Sequence, residues 1–222
     1  AVGVEFSAHL TSFTDSFRNF LAPSGNGPSL RPYHCYEGEF PQAGDACDGW
    51  LIPGSAASVY DGDEWIAELE AFTRTAAESK PVVGICFGHQ LVAQAFGGTV
   101  AKASGWGIGV HRHELTASPD WMQPSLSGIS LLASHQDQVV TPPPGAEVLG
   151  GSDFCPIGVM TVGPNVLSIQ NHPEMTKPFA ADLYHSRRDR MGSGTVDTAL
   201  DSLATPTDEA AVAAWILNFL KH

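Results

Sequence analysis

The sequence predicts an α/β protein organised around a cysteine at a sharp strand-to-helix turn, and three stretches carry that expectation. In the first, Val82, Val83 and Ile85 are β-branched or apolar and suit a buried strand. Cys86 follows between Gly84 and Gly88, and 91–96 reads as a helix stopped by Gly97 and Gly98. In the second, the strand over 48–52 runs into a turn at Pro53, Gly54 and Ser55. It is followed by a helix over 63–79, acidic at its start and buried through Trp65, Ile66, Leu69 and Phe72. In the third, 158–162 and 165–170 form paired strands around Gly163 and Pro164, leading into His172, Pro173 and Glu174.

Length and charge bound the possibilities. The 222 residues fit one domain, 1–222, with enough chain for a sizeable core. A net charge of −13 without a basic run disfavours nucleic acid or a membrane surface as partner. The four cysteines, Cys35, Cys47, Cys86 and Cys155, form neither a C-x-x-C pair nor a dense framework, which points to reduced thiols and a cytoplasmic setting. No signal peptide is recognised, and no apolar run reaches the roughly 20 residues of a membrane span.

Along the rest of the chain, 1–4 is expected as a first strand and 6–20 as a helix with Leu10, Phe13, Phe17 and Phe20 on its apolar face. The loop 23–28 leads to a second strand over 33–36. Thr99 and Val100 read as a short strand. The glycine-rich run 105–110 lacks the setting of a phosphate loop. His111 and His113 alternate as on a strand, but without a carboxylate or cysteine cluster they read as a solvated strand and no metal is expected. Residues 130–133 form a strand, and 134–138 read as a polar loop at a site or as a plain turn. A helix over 179–184, a polar stretch over 187–194 and a closing helix from Thr207, its N-cap, to Leu220 complete the chain.

The chemistry converges on few residues. At the turn, Cys86 has the nucleophile-elbow pattern, with a helix N-terminus beside it to favour a thiolate and receive an oxyanion. Pro173 holds its segment extended, so His172 and Glu174 project to one side and the carboxylate can fix the imidazole in one tautomer. Together they form a nucleophile, base and orienter. The backbone N–H groups of Gly54 and Phe87 are the expected oxyanion donors.

Residues 84–90, the turn at 53–55, residues 134–137 and the His172-Pro173-Glu174 run together resemble a class I, triad-type glutamine amidotransferase. Residues 105–107 and 153–156 resemble its stand-alone, GMP-synthase-like branch. The resemblance implies a flavodoxin-like three-layer sandwich around a mostly parallel sheet, with Cys86 as nucleophile, His172 as base and Glu174 as its partner. It also implies that Gln90, Ser134, His135, Gln136 and Asp137 surround the substrate glutamine, with no cofactor. No ATP-pyrophosphatase phosphate loop occurs here, so GMP synthesis by this chain alone is not expected. The segment 55–60 also departs from the Gly-Gly-Pro type of many synthase subunits.

Three readings follow. In the first, the chain is a glutaminase that feeds a separate ammonia-accepting synthase. Its activity is then gated at the turn 53–55, where a peptide flip would add or remove an oxyanion donor worth about 3–4 kcal/mol of barrier. In the second it is a γ-glutamyl peptidase that needs no partner. In the third it is a non-enzymatic binding or regulatory module, a reading that the intact Cys86, His172 and Glu174 count against.

Overall fold

The computed structural model describes residues 12–22, 27–41 and 47–222. Its centre is a seven-stranded sheet that begins, from one edge, with three parallel strands: β1 (Trp50–Ile52), β2 (Val82–Ile85) and β7 (Val166–Ile169). Every residue of β2 and β7 is buried, as expected of parallel strands covered on both faces. The strand period of two sorts β2 between two cores. Val83 and Ile85 pack with Phe17 and Leu21 of α1 (Phe13–Leu21) and with Val212, Trp215, Ile216 and Phe219 of α7 (Glu209–Phe219). Val82 faces the other way, toward Ile66 and Leu69 of α2 (Glu64–Ala77) and Leu91 and Val92 of α3 (Phe87–Ala95). Helices, sheet and helices thus form three layers. A fully buried side chain such as Val83 or Ile85 contributes about 1.5–3 kcal/mol relative to leaving it in water.

Beyond β7 the sheet is antiparallel. It continues through β6 (Val159–Val162), β5 (Ala146–Gly151), β3 (Thr99–Leu115) and β4 (Gly128–Thr141). Four of the six described pairings are antiparallel, so the α/β class and its layers stand while the described sheet is mixed. The reason is local: β6 and β7 are joined by a tight turn with Gly163 at φ 59°, and short turns can only make antiparallel neighbours. A third core lies under the β3–β4 pair, where Ile108 and Leu132 meet α4 (Lys177–Ser186) and α6 (Ser193–Ser202) through Tyr184, Val196 and Ala199.

Several expectations change. The strand over 33–36 is absent: Cys35–Glu37 is a 3₁₀ turn, with Glu37 and Gly38 N–H groups bonded to His34 and Cys35 carbonyls. Thr99 and Val100 open a 17-residue strand, and the polar run 134–138 lies inside β4. Neither loop nor turn forms there because β3 pairs with β4 on both sides of an irregularity between Lys102 and Gly107. His113 is wholly buried, so the solvated-strand reading fails. The polar stretch 187–194 contains α5 (Arg188–Met191) and the start of α6. Asp208, not Thr207, caps α7, and its carboxylate accepts the Ser130 N–H at 2.7 Å. The expected strand 1–4, the first half of the helix over 6–20 and most of the loop 23–28 lie outside the described residues. No described helix is long and apolar enough to cross a membrane.

Candidate active site

Cys86 stands between β2 and α3 at φ 53° and ψ −102°, the one non-glycine residue at positive φ among those described. Such a conformation costs on the order of 1–3 kcal/mol and persists only when its surroundings enforce it. They do so by close crossing. A Cβ on Gly84 would stand 2.4 Å from the Gly88 carbonyl oxygen, and one on Gly88 would stand 2.1 Å from that of Ile52. The Cys86 N–H donates to Ile169 O at 2.9 Å, and the Gly88 N–H to Pro53 O at 3.2 Å, tying the elbow to β7 and to the end of β1. Phe87 is the first residue of α3, so its N–H has no acceptor within the helix.

His172 and Glu174 follow β7. The His172 N–H donates to Leu132 O at 2.7 Å, which anchors the segment to β4. Its Nδ1 lies 2.7 Å from Glu174 Oε1, both side chains being buried. An ionised carboxylate only accepts, so Nδ1 carries the proton and Nε2 is left for other work. The imidazole also lies close enough to the Cys86 sulfur to feel its charge. Burial opposes charge on His172, but the Cys86 sulfur and the Glu174 carboxylate outweigh it and hold its pKa well above the ordinary imidazole value. Gly54 closes the group: a Cβ there would lie 2.9 Å from His172 Cε1 and 3.7 Å from Cys86 Cβ.

A second network adjoins the first. Gln90 Nε2 donates to Asp137 O at 2.8 Å and to Gln170 Oε1 at 3.2 Å, and Gln170 Nε2 lies 3.7 Å from Cys86 Sγ. His135 Nδ1 lies 3.3 Å from the same Asp137 carbonyl. The Asp137 carboxylate accepts from Ser58 and, at 2.7 Å, from Tyr60, so the segment after the Gly54 turn is fastened to β4. Ser134 and Gln136 stand apart from this network. Ser134 pairs with Ile108 and its Oγ has no partner among the described residues, and Gln136 falls within the β3–β4 irregularity. Sequence reasoning missed Ser58, Tyr60 and Gln170. The alternation that joins His172 to Glu174 extends one step back to Gln170 and could have found it.

The buried His89, His113 and His135 are held neutral near pH 7. Burial foremost pushes His89 down to about 3, His113 to about 4 and His135 to about 3, and the nearby His172 adds to the last. In the unfolded chain all three titrate near 6.5, so between about 6.5 and 4 the unfolded state binds more protons. Stability therefore falls as pH falls through that window. His172 contributes no slope there, because its raised pKa leaves it protonated in both states below 6.5; its contribution is lost as pH rises above that. Denaturant titrations across this window should show an uptake approaching three protons on unfolding. A midpoint independent of pH there would contradict the assignment. Among the described residues no three His, Cys, Asp or Glu side chains are grouped to hold a metal ion.

Known proteins share this fold and much of this sequence. A family model described as glutamine amidotransferase class-I matches residues 11–183, and the chain belongs to that family. γ-Glutamyl peptidase 2 of Arabidopsis thaliana is 30% identical over 177 residues, covering 75% of this chain and 71% of that protein. A glutamine-hydrolyzing GMP synthase subunit from Archaeoglobus fulgidus is 35% identical over 143 residues, 63% of this chain and 73% of its own. A solved glutamine amidotransferase from Methylobacillus flagellatus shares the fold, with a TM-score of 0.71 at 23% identity over 97% of this chain and 90% of that one.

Proposed function

We propose that the chain hydrolyses the γ-amide of glutamine through a γ-glutamyl thioester on Cys86. The carrying observation is the assembled group: a cysteine at a strained elbow, beside an imidazole that a buried carboxylate holds at 2.7 Å. The Cys86 sulfur attacks the amide carbon, and the oxyanion forms against the N–H groups of Gly54 and Phe87. His172 passes its Nε2 proton to the departing ammonia, and the C–N bond breaks as the oxyanion collapses back to a carbonyl, leaving the thioester. Water then attacks the thioester, His172 takes its proton, and glutamate leaves as the sulfur is released. Gln90, His135 and Asp137 receive the amino-acid head group, with Ser134 and Gln136 at its margin. In this reading the ammonia passes to a separate synthase in the cytoplasm.

A second reading is γ-glutamyl peptide hydrolysis, favoured by the 75% of the chain that matches the Arabidopsis γ-glutamyl peptidase. The chemistry is the same and only the leaving amine differs. One experiment covers both. A diazo-ketone analogue of glutamine should label Cys86 and leave Cys155 untouched, because Cys155 is buried and desolvation pushes its thiol up to about 12. Labelling elsewhere sinks the nucleophile assignment. On purified protein, kcat/KM for glutamine and for γ-glutamyl dipeptides then separates the readings. Slow glutamine turnover that a partner accelerates supports the gated subunit. Fast dipeptide and slow glutamine turnover supports the peptidase.

A further inference from the structure

Gln170 follows directly on β7 and is fully buried. Its backbone N–H donates to Gly158 O at 2.9 Å, which fixes where the side chain starts. The orientation of its amide is then dictated by its neighbours. A main-chain carbonyl can only accept, so the Gln90 atom 2.8 Å from Asp137 O is the nitrogen. The second N–H of that nitrogen points to Gln170 Oε1 at 3.2 Å. Gln170 Nε2 is therefore the atom that faces Cys86 Sγ at 3.7 Å. A flipped Gln170 would set donor against donor at Gln90 and a carbonyl oxygen against the sulfur.

We propose that Gln170 is a further catalytic residue: its side-chain N–H holds the Cys86 sulfur and stabilises it as the attacking thiolate, while Gln90 keys the amide in that orientation. A buried N–H bonds more strongly to a charged sulfur than to a neutral one, so it favours the charged form. The same contact ties the nucleophile to β4, because the Gln90 nitrogen that bonds Gln170 also bonds Asp137. The other ionisable groups near the sulfur are His172, with Glu174 behind it, and Cys155, whose thiol stays neutral at about 12; His135 acts on His172 from β4.

The inference rests on Cys86 as nucleophile, and its test needs no substrate. Iodoacetamide alkylation of Cys86 is followed by peptide mass mapping from mildly acidic to mildly alkaline pH, for the unaltered chain and for Gln170→Met and Gln170→Glu. Gln170→Met keeps the size and unbranched shape but removes the donor. The rate near neutral pH should fall about tenfold and the midpoint should rise by about one pH unit, with a larger rise for Gln170→Glu, which sets an anion beside the sulfur. In the unaltered protein, the Gln170 side-chain amide resonance should shift on alkylation of Cys86 and titrate with the alkylation midpoint. An unchanged midpoint in folded Gln170→Met, or an amide resonance indifferent to alkylation, would overturn the proposal. Absent γ-glutamyl turnover with an intact Gln170 effect defeats the substrate reading alone. Normal turnover without that effect defeats this one alone.

Discussion

Replacing His172 by alanine should lower kcat by about 10⁴-fold, whereas Glu174→Gln should lower it by about 10²-fold, with both variants folded. Alanine removes the imidazole that, in the proposed reaction, takes and returns the proton. Glutamine at 174 keeps an oxygen that can accept the Nδ1 proton, so ring and tautomer are largely retained. What it loses is charge. Glu174 Oε2 has no partner among the described residues, so the carboxylate serves His172 and little else. Its charge is one of the two attractions that hold the imidazole pKa up against burial. Without it that pKa falls, His172 gives up its proton at lower pH, and the alkaline limb of the kcat profile moves down in pH. A larger loss of kcat in Glu174→Gln than in His172→Ala would contradict these roles. An unmoved alkaline limb would show that the carboxylate acts through geometry alone.

The parts legible in the sequence are those fixed within a few residues of chain. The elbow was readable because β-branched residues, two glycines and a helix stop are consecutive around Cys86. The contact of His172 with Glu174 was readable because alternation in an extended segment places them together. The long β3–β4 pair was not, because its length depends on cross-strand pairing between 99–115 and 128–141, which no local pattern states. Hence a polar run within β4 looked like a loop, although His135 and Gln138 are almost wholly buried. Ser58 and Tyr60 were missed for the same reason: their partner Asp137 lies 79 and 77 residues away in sequence. Residues 33–36 carry strand-like side chains, yet with no described ladder partner their backbone bonds locally around Gly38.

Gly54→Ala should reduce kcat by about 10²–10³-fold with little change in KM. Gly54 is not among the glycines at positive φ, so alanine brings no backbone strain, and whatever it does is steric. The new Cβ would lie 2.9 Å from His172 Cε1, closer than carbon atoms tolerate. The imidazole has little room to yield, being held by Leu132 O at its backbone and by Glu174 at Nδ1. Either His172 tilts out of line with the sulfur or the Pro53-Gly54-Ser55 turn recedes and takes an oxyanion N–H with it. The hydrogen bonds joining Gln90, Gln170 and Asp137 involve neither residue, so head-group binding should persist. Alkylation of Cys86 tells the two apart: a tilted imidazole slows it, whereas a receding turn leaves it at the unaltered rate while kcat falls. Wild-type kcat in folded Gly54→Ala would remove Gly54 from the oxyanion site. It would also remove the turn as the place where a docking partner could govern activity, because a flip of that peptide would then change no donor the reaction uses.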